Sequence, residues 1–137
     1  MRALSIRQPW AFLICHGYKD IENRTWPLPH KMVGQRIYVH ASKTSDESPG
    51  FKRAYACLLQ CCKPTGPSRI WETMWRELAY GAIVGEVDIV GCVGESDSPW
   101  FEGPYGFALS NPIAYPEPIP YRGRLGFFEV ELPQREE

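Results

Sequence analysis

Gly17-Tyr18-Lys19-Asp20-Ile21-Glu22-Asn23-Arg24 has the form GxKxxExR, and three of its side chains can do chemistry together. A lysine just past a helix end, followed closely by a glutamate and an arginine, can close into a compact network. In it the carboxylate orients the ammonium and the guanidinium toward one anion or carbonyl. Such a triad suits a ligand with donor and acceptor edges, such as a nucleobase beside a phosphate. Trp10 and Trp26 flank the motif, and indole faces are good stacking platforms for unpaired bases. Hydrolytic chemistry is the alternative: Glu22 as general base toward a water, with Lys19 and Arg24 stabilising an oxyanion. Taken alone, the three charges also describe a solvated surface network of weak ion pairs.

The elements around the motif are readable. Residues 3–7 form a short strand, and Gln8-Pro9-Trp10 opens a helix with proline in its first turn, where a missing N–H costs nothing. Trp10, Leu13, Ile14 and Gly17 follow the i, i+3, i+4, i+7 pattern, so one face packs inward and Gly17 ends the helix. Residues 20–26 read as extended. Residues 35–42 alternate, with Ile37, Val39 and Ala41 on one face and Arg36, Tyr38, His40 and Ser42 on the other. On that pattern His40 is either a satisfied polar group on an outer face or part of a site. After a loop at 44–50, residues 51–62 and 68–80 read as two helices, on the second of which Trp71 and Trp75 lie at i, i+4 and read as packing residues.

Residues 82–93 are the longest β-branched run, and Gly85 and Gly91 mark bulges that would curve a sheet toward closure. Residues 105–109 read as a strand, 112–120 as a proline-rich connection and 125–132 as a last strand. The chain is therefore expected to be α+β: about five or six mostly antiparallel strands in a small closed or partly closed barrel with flanking helices.

A length of 137 residues at 44% hydrophobic suits one domain, 1–137. The net charge of −1 lacks the wholesale basicity of proteins that coat nucleic acid, which argues against tight binding to long duplex. The charge is uneven, however: seven basic residues face only Asp20 and Glu22 among residues 1–43, whereas acids dominate from residue 95 onward. An anionic partner is expected to meet the N-terminal third. The five cysteines include Cys57, Cys61 and Cys62 on one predicted helix, without a CxxC pair or HxxxH, which points to small buried thiols in a reducing, cytoplasmic setting and to no metal site. The start MRALSIRQPW has no signal-length apolar run and no stretch approaches a membrane span, so a soluble protein is expected, without membrane or obligate protein partner and without cofactor.

The motif resembles the signature of the ASCH domain family in the PUA-like superfamily. The resemblance extends to the lead-in Leu4-Ser5-Ile6-Arg7-Gln8-Pro9-Trp10-Ala11, to Glu22-Asn23-Arg24-Thr25-Trp26-Pro27 and to His40-Ala41-Ser42-Lys43. It continues through Gly103-Pro104-Tyr105-Gly106-Phe107 and Leu109-Ser110-Asn111-Pro112, in the same order along nearly the whole chain. It implies a small PUA-like β-barrel in which the first and third strands are neighbours, and an RNA or a nucleoside-like small molecule as partner. The ligand-binding set it implies is Ser5, Arg7, Gln8, Trp10, Lys19, Glu22, Asn23, Arg24, Trp26, His40, Ser42, Lys43 and Tyr105. If the protein is an enzyme, a hydrolase acting on an acylated cytidine or on RNA, then Lys19, Glu22 and Arg24 are its catalytic residues. The amidohydrolase pattern carries a threonine three residues after the motif lysine, where this sequence has Glu22, so that nucleophile is missing in place. The position of Lys19 beyond the helix-closing glycine predicts that Lys19→Ala removes binding but spares the fold, whereas Leu13→Ala opens a core cavity.

Overall fold

The computed structural model describes residues 1–61 and 68–132. Cys62 and the predicted linker at 63–67 lie outside the described residues, as do Arg135, Glu136 and Glu137. The elements run β1 (Arg2–Gln8), α1 (Trp10–Cys15), β2 (Ile21–Arg24), β3 (Arg36–Ser45), α2 (Ser48–Cys61), α3 (Ser68–Glu77), β4 (Ala82–Val93), β5 (Tyr105–Pro120) and β6 (Phe127–Glu129), with a short 3-10 turn at His30–Met32. This is the predicted order of strands and helices.

The helix α1 is short because both ends are fixed within six residues. At its start the Gln8 side-chain carbonyl accepts the Phe12 N–H at 2.9 Å. At its end Gly17 takes φ +83°, a conformation open to glycine at little cost. The N–H groups of Gly17 and Tyr18 then reach back to Ile14 O (3.1 Å) and Leu13 O (2.9 Å), the paired bonds of a Schellman cap. The Lys19 N–H also bonds Leu13 O, at 3.0 Å. The chain thus doubles back at Lys19 and enters β2 immediately.

Among the described residues one six-stranded sheet has the order β2-β5-β4-β3-β1-β6, and only the β1–β3 pair is parallel. The sheet is not closed by hydrogen bonds, since β2 and β6 are its two edges. It curls enough for side chains to bridge the gap: Trp26, just past β2, meets Phe127 of β6 edge-on at 6.0 Å, and Arg24 of β2 bonds the backbone carbonyl of Ser5 on β1. The barrel is therefore partly open, with a mouth between β2 and β1. Register shifts at Ile83/Gly85 and Ile89/Gly91 supply the curvature, at the glycines where bulges were expected.

Several boundaries differ from the expected ones, each for a physical reason. Residues 112–120 belong to β5 rather than to a connection. The strand tolerates its prolines because β2 covers only Tyr105 to Ala108, leaving the rest of that edge without a partner strand, and because Pro116 and Pro118 fall in a bulge between Ala114 and Ile119. Strand β6 pairs only over Phe127–Glu129, because its partner β1 begins at Arg2 on one side and Gly126 at φ +65° turns the chain out of the ladder on the other. Helix α2 begins earlier than expected, at Ser48, and α3 ends at Glu77, ahead of Gly81.

The main core lies between α1 and the sheet, around Leu4, Ile14, Val39, Val87 and Phe107. A second cluster seats α2 and α3 through Leu13, Leu58, Met74 and Trp100. Trp71 and Trp75 pack as expected, Trp75 lying flat on Phe51 at 5.0 Å, although Trp75 remains half exposed. A third cluster, including Ile83, Phe128 and Val130, covers the face of β3 that alternation reads as outer. Among the described residues no helix is long and apolar enough to cross a membrane.

Candidate functional site

The barrel mouth opens into a cavity of about 830 Å³. Its floor is the Lys19, Glu22 and Arg24 triad. Lys19 is 4% exposed and Glu22 5%. Lys19 Nζ donates to Glu22 Oε1 at 2.9 Å and to the backbone carbonyl of Ile21. Arg24 donates through Nη1 to Glu22 Oε2 at 2.7 Å and through Nη2 to Ser5 O at 2.9 Å. Strand alternation puts Glu22 and Arg24 on one face of β2, and the turn after Gly17 brings Lys19 to the same place. One carboxylate therefore holds two cations side by side. Burying such charges is costly unless each is paired and hydrogen-bonded, a condition this floor meets.

Two indoles flank the triad. Trp10 is half-buried, its Nε1 donating to Asp46 Oδ2 at 2.8 Å, with Lys19 Nζ 5.5 Å and Arg53 Cζ 5.9 Å from its ring centroid. Trp26 is held edge-on by Phe107 at 5.4 Å, and Arg24 Cζ lies 6.0 Å from its centre. Both are fixed by packing on one part and face the cavity with another. On the β1–β3 side, Ser5 and His40 are register partners in the parallel ladder, and Ser5 Oγ lies 2.9 Å from His40 Nδ1. His40 Nε2 is 2.7 Å from the carbonyl oxygen of Tyr121.

A family model for the ASCH domain matches residues 4–129. The chain belongs to the ASCH domain family. Its curated relatives include activating signal cointegrator 1 of Homo sapiens, 26% identical over 93% of this chain, and the Mus musculus protein of that name, 23% identical over 93%. The chain spans 22% of the length of each. Among solved structures it resembles ASCH from Zymomonas mobilis, with a TM-score of 0.52, 15% identity and coverage of 95% of this chain and 87% of that one. A substituted form of that protein gives a TM-score of 0.51 at the same identity and coverage. At such identity the likeness concerns the fold.

Within this ASCH domain, Ser5, Arg7, Trp10, Lys19, Glu22, Asn23, Arg24, Trp26, His40, Ser42 and Lys43 all line the cavity. Two residues of the expected set do not. Gln8 is buried and spends its amide on Ala79 O (3.0 Å) and the Phe12 N–H, tying α1 to the segment after α3. Tyr105 stands exposed at the start of β5, where its register partner is Arg24, outside the cavity lining. Asn23 lines the wall, but both ends of its amide are engaged: Nδ2 donates to Trp100 O at 3.0 Å, and Oδ1 accepts the N–H groups of Glu102 and Gly103. His40 is not on an open outer face; it is 1% exposed beneath Phe128, whose ring lies edge-on at 5.8 Å.

The lining also includes residues that no local motif announced. Arg53 comes from α2, Glu102 from the loop before β5, and Arg122, Gly123 and Arg124 from the segment before β6. The ArgGlyArg spacing at 122–124 was the available signal, and it carried no indication of where the segment would fold. Of the thiols expected to be buried, Cys57 is, near the loop at 99–100, its Sγ–H donating to Pro99 O at 3.3 Å and burial pushing its thiol pKa up, whereas Cys61, the last residue of α2, is exposed. Among the described residues no three His, Cys, Asp or Glu side chains are grouped to hold a metal.

Proposed function

We propose that this ASCH domain binds single-stranded RNA, or a nucleotide or modified nucleoside, in the cavity above Lys19, Glu22 and Arg24. The observation that carries this reading is an excess of cations over carboxylates around the cavity, seven lysines and arginines against Glu22, Asp46 and Glu102. Lys19 and Arg24 share Glu22 on the floor, Arg53 reaches Glu102 at 3.7 Å, and among the described residues Arg7, Lys43, Arg122 and Arg124 have no carboxylate within ion-pair distance. Cations in this arrangement complement a phosphate backbone, and Trp10 and Trp26 offer ring surface for an unstacked base. The PUA-like class to which ASCH domains belong is linked to RNA binding, which supports the same reading. A partly enclosed cavity of about 830 Å³ suits one or two nucleotides and excludes a duplex.

Hydrolysis with Glu22 as general base draws less support. Both oxygens of that carboxylate are held by cations, which suits a clamp better than a proton acceptor. The reading is tested by fluorescence anisotropy of a short labelled single-stranded RNA against increasing salt. Two or three phosphate contacts give a slope of log affinity on log salt of about −1.4 to −2.1. Replacing both Arg122 and Arg124 by alanine should weaken binding about tenfold or more, at about 1.5–3 kcal/mol per lost charged hydrogen bond. Binding that ignores both salt and these arginines would refute the proposal.

A further inference from the structure

The Ser5 and His40 pair has a geometry that strand pairing alone does not require. A carbonyl oxygen can only accept, so at 2.7 Å from Tyr121 O the Nε2 of His40 carries the proton. In the neutral ring Nδ1 is then an unprotonated acceptor, and the hydroxyl 2.9 Å away on Ser5 donates to it. The result is a hydroxyl on a base whose far nitrogen is held by a third group, the arrangement that activates a serine toward acyl carbons. Ser5 and His40 both border the cavity, His40 only 1% exposed, so a ligand reaches the hydroxyl with the base behind it. Gly123 closes over the pair: a Cβ there would fall 2.7 Å from His40 Cε1 and 3.2 Å from Ser5 Oγ. A side chain at this position would press on the imidazole, so only glycine packs this closely over the pair; it is flanked by Arg122 and Arg124, two cations without a paired carboxylate among the described residues.

We infer that Ser5 is a nucleophile and His40 its general base for acyl transfer from an ester of an anionic or nucleoside-sized alcohol held in the cavity. The inference rests on the binding reading for the choice of alcohol. In the first half-reaction Ser5 Oγ bonds to the ester carbonyl carbon and its proton passes to His40 Nδ1. The carbon–oxygen bond to the alcohol then breaks, and that proton goes to the departing oxygen. In the second, water attacks the acyl-Ser5 carbonyl, gives its proton to Nδ1, and the proton returns to Ser5 Oγ as the acid leaves. Arg122 and Arg124 line the same cavity and are the cations available to the carbonyl oxygen as it becomes anionic.

The test uses p-nitrophenyl acetate as an activated ester and the full chain. Wild type should release p-nitrophenolate in a burst, and peptide mass spectrometry should find one acetyl group on Ser5. Ser5→Ala should lose both burst and acetyl group. His40→Gln, which keeps a donor for Tyr121 O and an acceptor for Ser5 but no basic nitrogen, should slow acetylation about a hundredfold or more. Thermal unfolding of each variant shows whether a loss is a loss of fold, and if His40→Gln fails to fold, Ser5→Ala and the mapped acetyl group still decide. Absence of acetyl on wild-type Ser5, or an unchanged burst in folded Ser5→Ala, would overturn the proposal and leave the pair as a strand-to-strand tie. Anisotropy on the wild-type protein separates the two readings. RNA bound without Ser5 acetylation sinks acyl transfer alone, and Ser5 acetylation without RNA binding sinks the binding reading alone.

Discussion

Removing the ammonium from the cavity floor should cost stability as well as binding. Lys19 and Glu22 side chains are 2% and 6% exposed, and Lys19 Nζ donates to both Glu22 Oε1 and Ile21 O. Lys19→Met keeps the length and apolar volume of the side chain but leaves half of a buried carboxylate and a backbone carbonyl without a donor. Breaking one partner from a buried pair typically costs about 3–5 kcal/mol, against about 0–1 kcal/mol for an exposed pair. With a urea m-value of about 2 kcal/mol/M, the unfolding midpoint should fall by roughly 1.5–2.5 M. Glu22→Gln should cost a similar amount, since it leaves two cations sharing a neutral amide. The double variant should recover at least about 1.5 kcal/mol relative to the sum of the single losses, as coupled neighbours do. A midpoint shift below about 0.5 M for Lys19→Met would place the pair in the exposed regime and refute the picture of a desolvated floor. Burial thus revises the sequence-based expectation that Lys19 could be truncated without consequence for the fold.

Leu13→Ala should lose about 2–5 kcal/mol in the same urea assay, because Leu13 is fully buried in the cluster beneath α2 and α3; a smaller loss would mean that the site collapses around the gap. The Asn111 amide and then the Arg36 guanidinium hold the Asp88 carboxyl below its ordinary value of 3.8. A depressed folded pKa contributes stability above 3.8 that is lost as pH falls through the lowered value, so Asp88→Asn should flatten the acid limb of a stability–pH curve, and superimposable limbs would exclude this role.

The parts of the site that could be read in the sequence are those set by neighbours along the chain. Gly17, Lys19, Glu22 and Arg24 meet because a helix cap and a strand alternation, both local rules, place them. Gly85 and Gly91 were readable as bulges for the same reason. The exposure of His40 was not readable, because alternation tells which face of β3 it occupies but not that Phe128 and Val130, far along the chain, will cover that face. Nor could the prolines of β5 be placed, since their tolerance depends on which edge of the strand lacks a neighbour. Arg53, Arg122 and Arg124 belong to three-dimensional proximity alone. The N-terminal third was expected to face an anion by itself, yet the segment before β6 brings two further cations from a region that is acidic on balance.

That arrangement explains how a chain of net charge −1 can present a cationic cavity. Several acids are spent at a distance from the mouth: Glu129 beside Arg2, and Glu86 and Asp88 beside Arg36. The cations at the mouth keep their charge, but their field is screened beyond about 8 Å at physiological salt, so they act by contact rather than by drawing a ligand from afar. Stability alone does not call for this floor, because well-packed apolar side chains at positions 19, 22 and 24 would hold the barrel mouth at least as well as buried charges. On the proposed binding role, a carboxylate holding two cations in fixed positions has a use when a ligand arrives. The cations are already oriented and partly desolvated, so the ordering and dehydration that usually subtract from affinity have been met in folding.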